Sequence, residues 1–493
     1  MENASKHVLL AVLFLLAGGC ATSTPVSGAP DTQRIEEAGA SDYQLTRKVA
    51  FGGHVTWHYA RSVYENPVNR PVSHFAALGS LALKSTGGLL RRVAISTVEM
   101  PALRGAIPPV SDAEPMDLAE FEKILDKTTG TRQDTGRIRF LVDGDEYFSR
   151  LMHSIENAEE SIDIRTYIFD NDDYAVTVAD CLKERSEDVR IRIMLDGLGT
   201  LQALQADPES LPADHRAPLS IRLYLEDDSE VEVRNLTNPW FTGDHTKTTI
   251  IDKRVAFVGG MNIGREYRYD WHDLMMEVTG PVVDQLQYES DRAWSRSSLF
   301  GDLADFVRLL GGKHEHADRE GYPVRVLQTK KFDSQIHKAQ IAAIQNAESY
   351  IIIENAYFSD DRTIYELAKA RRRGVDVRVI IPSEGNHGPL NASNKATINT
   401  LLSHGIRVYE YPGMSHVKAA VFDGWASVGS ANFDKLSLKV NKELNLATSH
   451  PDTVQALLDR VFIPDLMISR EIVDPVPVTI TTHLAEMIVD EML

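Results

Sequence analysis

Cysteine is nearly absent from this chain. Its 493 residues include only two, Cys20 and Cys181. No Cys/His spacing of the zinc-binding kind occurs, so no metal site is expected. Cys181 lies in the helical segment Val178–Leu182 and reads as a small buried hydrophobe. Basic residues are in deficit as well: 52 Lys and Arg stand against 71 Asp and Glu, a formal net charge of −19. That excludes a protein whose main task is to coat nucleic acid, which needs many cations against phosphates. It leaves room for a pocket in which a few basic residues hold one phosphate. Long apolar runs are missing too, apart from the first twenty residues, so no later stretch is long enough for a transmembrane helix. What is present is ordinary globular material, 43 % hydrophobic and enough for two domains.

The start of the chain reads as an export signal. Lys6 and His7 precede a short apolar run, Val8–Ala17, which ends in Gly18-Gly19-Cys20-Ala21. Small residues directly before a cysteine resemble the bacterial lipoprotein box. This predicts a signal peptide over 1–20 and lipidation of Cys20, which leaves no intramolecular disulfide. Ala21 rather than Asp follows the cysteine, which points to a lipid-anchored protein of the bacterial cell envelope, on the periplasmic face of the outer membrane. Each buried acyl CH₂ contributes about 0.8 kcal/mol to such anchoring. Residues 21–136 read as a Ser/Thr/Pro/Gly-rich tether and an N-terminal extension. The extension holds an acidic helix near 116–126 and is expected to pack on the first repeat or form a small cap.

The remainder repeats itself. A helix-period segment, Asn157-Ala158-Glu159 and an apolar strand ending at Phe169 match a segment with Asn346-Ala347-Glu348 and a strand ending at Phe358. A second helix and strand follow in each half, at Val189–Gly197 and Val375–Pro382. Then comes His245-Thr246-Lys247 with Asp252, Gly259-Gly260 and Asn262. Its counterpart is His416-Val417-Lys418 with Asp423, Gly429-Ser430 and Asn432. An acidic residue follows each Asn at the same offset: Asp273 and Glu443. Strands separated by helices argue for an α/β fold with mixed sheets. The boundaries read as repeat 1 over 137–310, a linker over 311–321, repeat 2 over 322–475, and a C-terminal tail over 476–493.

These residue types suit phosphodiester chemistry. On a strand, His-x-Lys presents both side chains to one face. Lys247, Lys418, Asn262, Asn432 and the Ser430 hydroxyl can bind non-bridging oxygens. One neutral imidazole can attack phosphorus while a second, protonated, supplies a proton to the leaving alcohol. Asp273 and Glu443 can hold the other ring nitrogen and fix the tautomer. Asp252 and Asp423 read as caps of the turn after the strand. The run Arg371-Arg372-Arg373-Gly374 reads as the solvated end of a helix.

His-x-Lys-x4-Asp occurring twice, each time followed by Gly-Gly/Ser-x-Asn, resembles the phospholipase D superfamily. Tyr167-Ile168-Phe169, Asp196-Gly197-Leu198-Gly199, Gly259–Tyr267, Trp271-His272-Asp273 and Asn355–Phe358 resemble its bacterial cardiolipin synthase-like branch. Asn432-Phe433-Asp434 with Ser437, Asn441 and Glu443 completes that set. The resemblance implies two pseudo-symmetric repeats around one shared active site, with no metal or other cofactor. It makes His245, Lys247, Asp252, His416, Lys418 and Asp423 the catalytic set. It further implies a phosphohistidine intermediate, with His245 as nucleophile and His416 as general acid, then base. The expected partners are a phospholipid and a small alcohol or water acceptor at a membrane surface, the chain acting as a monomer. A nuclease of the same superfamily is the alternative enzyme, and a non-catalytic envelope binding protein the alternative class.

Overall fold

The computed structural model describes residues 103, 105–203, 210–236, 243–298, 300–309, 320–330, 333–385 and 388–478, together with 71, 72 and 75. The signal peptide, Cys20, the tether, most of the linker and the tail from 479 lie outside the described residues.

Each repeat is built from the same seven strands. In the first they are β1 (Gln133–Val142), β2 (Ser161–Thr166), β3 (Arg190–Asp196), β4 (Glu232–Leu236), β5 (Thr248–Ile251), β6 (Val255–Gly259) and β7 (Leu274–Thr279). In the second they are β8 (Tyr322–Thr329), β9 (Tyr350–Asn355), β10 (Asp376–Pro382), β11 (Arg407–Tyr411), β12 (Lys418–Phe422), β13 (Trp425–Gly429) and β14 (Glu443–Thr448), with a short β15 (Arg470–Ile472) added at the edge. The order is β15-β11-β10-β9-β12-β13-β14-β8-β1-β7-β6-β5-β2-β3-β4, so the halves mirror each other about the β8/β1 pair. Helix crossovers make β2-β3-β4 and β9-β10-β11 parallel, while the remaining pairs are antiparallel, β5-β6 and β12-β13 through tight turns. This is the expected mixed α/β architecture. The two half-sheets also pack face to face: Ile250, Val258, Met276 and Val278 share one core with Val417, Val421, Val428 and Leu446. Separate cores lie under the outer helices of each half.

The helices start and stop on local signals. Helix α1 (Leu118–Thr129) is capped by Asp117, which accepts from the Ala119 and Glu120 N–H groups, and ends at Gly130 with φ 68°. Helix α2 (Asp143–Glu156) precedes β2. Asp172 caps α3 (Asp173–Arg185), and Asp360 caps α4 (Asp361–Arg373). The acidic stretch Asp170–Asp173 is therefore a helix entry.

Three expectations need correction. The described part of the N-terminal extension, from 103 onward, packs on the second repeat rather than the first. Phe121 of α1 meets Trp425 edge-on, and the buried Arg325 of β8 reaches Glu122 and Asp126, each at 2.8 Å. The arginine run does end a helix, but its side chains are tied to carbonyls rather than left to solvent. Arg371 donates to the carbonyls of Gly405 and Pro108, Arg372 to that of Leu103, and Arg373 to those of Ile344 and Ala347. Asp252 and Asp423, in the catalytic set by resemblance, do not face the histidines. Each sits in the turn at the opposite end of its strand, with φ 52° and 49°. Asp252 receives the N–H groups of Glu159, Glu160 and Ser161 at 2.6–3.2 Å. Asp423 receives those of Glu348, Ser349 and Tyr350, plus Met116 from the extension.

These aspartates tie the Asn-Ala-Glu turns to the strands that carry the histidines. Burial opposes charge on Asp252, but its three N–H donors outweigh this and hold its carboxyl below the usual range. Its contribution is therefore complete above about pH 4 and lost as pH falls below that. Asp252→Ala is expected to cost about 2 kcal/mol at pH 7, measured by urea unfolding, and less at pH 3.

Candidate active site

The residues just before β5 and β12 do not pair within their own repeat. Asp244 bridges to Lys442, and the His245 N–H donates to the Lys442 carbonyl at 2.9 Å. Ser415 bridges to His272, and the His416 N–H donates to the His272 carbonyl at 2.7 Å. Each histidine segment is thereby stitched beside the acidic residue of the other half. His245 Nδ1 lies 3.0 and 3.1 Å from the two Glu443 oxygens. His416 Nδ1 lies 2.7 Å from Asp273 Oδ2. The orienting pairs are crossed between the repeats. Holding Nδ1 in each ring assigns the chemistry to Nε2.

Both lysines are buried and donate to the carbonyl of the histidine two residues earlier, Lys247 at 2.9 Å and Lys418 at 2.7 Å. Burial pushes Lys247 down to about 7 and Lys418 down to about 8; each feels Glu443 and Asp273 as counter-charges, and Lys247 also feels Lys418. Burial likewise lowers His245, only partly offset by Glu443, so its ring is neutral at neutral pH. Burial raises Asp273 to about 7 despite the neighbouring lysines. The mutual influence of groups from both halves places them around one small volume.

The remaining expected site residues divide. Ser430 Oγ donates to Glu443 Oε2 at 2.5 Å, so it orients the acid that orients His245. Its counterpart is Gly260, where a Cβ would lie 2.2 Å from Asp273 Oδ1. The absence of a side chain there leaves room for the Asp273 carboxylate. Asn262 is engaged by the scaffold, accepting from the Ile168 N–H at 3.0 Å and donating to the Tyr267 hydroxyl at 2.7 Å. Asn432 is buried too, and its amide oxygen has no hydrogen-bond partner among the described residues.

Several neighbours were not singled out from the sequence as site residues. Tyr167 stands edge-on to His245 at 4.8 Å, and Trp271 lies 5.3 Å from His416. Buried Asp244 is held by Arg165 at 2.7 Å and Lys442 at 3.0 Å, while Asp196 accepts the Asp244 N–H at 2.8 Å. On the other side, His272 contacts Asp143 at 2.7 Å and Asp465 at 3.1 Å. The available signal was adjacency: Asp244, His272 and Lys442 each directly precede an active-site residue.

Comparison with known proteins places the chain in a family. The family described as cardiolipin synthase, PLD-like domain, matches residues 151–294 and 340–463, more than half of the chain and both copies of the motif. The chain belongs to this family. Cardiolipin synthase B of Salmonella typhi is 29 % identical over 345 residues, covering 67 % of this chain and 80 % of that protein. The major cardiolipin synthase of Bacillus subtilis is 28 % identical over 354 residues, covering 67 % and 69 %. The phosphatidylserine synthase structure of Haemophilus influenzae shares the fold with a TM-score of 0.58 at 13 % identity, covering 76 % of this chain and all of that one. No helix among the described residues is long and apolar enough to cross a membrane.

Proposed function

We propose that this enzyme transfers a phosphatidyl group between glycerophospholipids, as a cardiolipin synthase does, through a phosphohistidine on His245. The neutral His245 Nε2 attacks phosphorus, and the bond to the leaving alcohol breaks as His416 Nε2 gives that oxygen its proton. The headgroup departs. The acceptor alcohol then loses its proton to His416 and attacks the phosphohistidine, so the P–N bond breaks and both rings return to their starting states. Lys247 and Lys418 neutralise the non-bridging oxygens through both steps. Glu443 and Asp273 balance the positive charge on whichever ring carries it. The observation that carries this reading is the crossed pairing His245–Glu443 and His416–Asp273. Cardiolipin synthase relatives that align with both halves support a lipid substrate. The export-signal pattern and Cys20 support a lipid-anchored position on the periplasmic face of the outer membrane, where the substrate lies.

The test is to incubate purified chain with phosphatidylglycerol, phosphatidylethanolamine and glycerol, then analyse the lipids by mass spectrometry. Cardiolipin is expected. Phosphatidic acid alone would mean that water is the acceptor and would end the transferase reading. An unchanged lipid pool with cleavage of added DNA would move the enzyme to nucleic-acid substrates.

A pH dependence follows from the lysines. Their folded-state values are lowered to about 7 and 8, so the free enzyme loses both positive charges as pH rises through that range. The kcat/KM for phospholipid is expected to fall about tenfold per unit between pH 7 and 8, and more steeply, towards about a hundredfold per unit, above pH 8. Lys247→Arg, whose side chain stays charged, should move the onset of the alkaline limb upward. An alkaline limb that this substitution leaves in place would assign the fall to another group.

A further inference from the structure

The pseudo-symmetry of the two halves breaks in charge at one place. In each half a position near the end of β2 or β9 lies beside the residue that precedes a catalytic histidine. In the first half that position is Arg165, and with Lys442 it surrounds the Asp244 carboxylate with two cations. In the second half the matching position is Glu354, fully buried, and the residue before the histidine is the neutral Ser415, which donates to Glu354 Oε1 at 2.6 Å. Lys442 has His272 as its counterpart, each preceding the orienting acid. Where the first half sets two cations against Asp244, the second sets one imidazole against Glu354, Asp465 and Asp143.

The ligand geometry is already in place. One ligand atom each from His272, Glu354 and Asp465 lies within 4.8 Å of the others. His272 Nε2 faces Asp465 Oδ2 at 3.1 Å, close to the separation of two ligands on one small cation. Its Nδ1 is held by Asp143 at 2.7 Å, the carboxylate–histidine arrangement that fixes a metal-bound ring. Glu354 is a second sign: its Oε2 is buried and meets no donor among the described residues, and its carboxyl faces that of Asp465. Two buried acids placed this way cost several kcal/mol unless a metal cation or a proton meets them.

We propose that His272, Glu354 and Asp465 bind one divalent cation of the Zn²⁺ or Mn²⁺ type, which fastens the two repeats together beside His416. One nitrogen and two carboxylates suit such an ion better than Ca²⁺, which takes six to eight oxygens. His272 comes from the first repeat and the two acids from the second, so the ion is an inter-repeat clamp. It takes no part in the chemistry at phosphorus. Its effect on turnover passes through the His272 carbonyl, which receives the His416 N–H. The competing cation is a proton on His272, held there by Asp143 and Asp465.

The test uses the full chain, prepared without a histidine tag, stripped with EDTA and titrated with Zn²⁺ or Mn²⁺ by calorimetry and thermal melting. One equivalent is expected to bind, with Tm raised by about 3 °C or more at a hundredfold excess over Kd. The double variant Glu354→Gln/Asp465→Asn should lose that equivalent and the Tm response. Absence of saturable uptake of either ion by the native chain would overturn the site and leave a proton as the neutralising charge. Equal uptake by the double variant would overturn it as well. Neither readout depends on the lipid reaction, so failure here leaves the proposed activity standing.

Discussion

The His245→Ala chain is expected to turn over phospholipid roughly 10⁴-fold or more slowly than the native enzyme, and to yield no phosphoenzyme. In the proposed mechanism His245 Nε2 is the attacking nitrogen, and the Nζ atoms of both lysines are engaged at the neighbouring carbonyls. His416→Ala should be equally slow on natural lipid yet differ in kind. With a p-nitrophenyl phosphodiester, whose leaving group needs no proton, it should still form the covalent intermediate and then stall, because no base activates the acceptor. Acid-quenched ³¹P labelling and mass spectrometry separate the two. A phosphoenzyme in His245→Ala that is absent from His416→Ala would reverse the roles.

Glu443→Gln is expected to lower turnover by roughly 10²- to 10⁴-fold without unfolding the chain. The amide can keep a contact to His245 but carries no charge to balance an imidazolium, and it disturbs the donation from Ser430 Oγ. The crossed arrangement makes this prediction specific. A double-mutant cycle between His245 and Glu443 should show near-complete non-additivity, because both act on the same ring from opposite halves. The cycle between His245 and Asp273, the acid of its own repeat, should be far closer to additive. Strong coupling of His245 to Asp273 and none to Glu443 would contradict the pairing.

Much of this site was legible in the chain. Duplication of His-x-Lys, the small pair, Asn and an acid at fixed offsets marked the reacting groups, since a strand with period two must put His and Lys on one face. The helix–strand alternation gave the mixed sheets. Local patterns failed where a residue's role depended on a distant partner. Asp252 and Asp423 do sit in the turns that local reading gave them, but the resemblance placed them in the catalytic set, and the N–H groups they serve lie about 90 and 75 positions away in sequence. The arginine run looked solvated because the carbonyls it binds come from Leu103, Pro108 and Gly405. Asn262 was expected at the phosphate, but Ile168 and the Tyr267 hydroxyl occupy its amide.

The chain by itself determined which groups are the candidates for the chemistry and that they come in two sets, because spacing along strands and helices is a local property. Only tertiary structure decided which acid orients which histidine. That choice depends on pairing between the segments around 244 and 442, and around 272 and 415, and no sequence period encodes contact between halves about 200 and 140 residues apart. Tertiary structure likewise placed Glu354 opposite His272. Two ordinary residues from separate repeats acquired a shared charge problem only when burial removed the water that would otherwise have screened it.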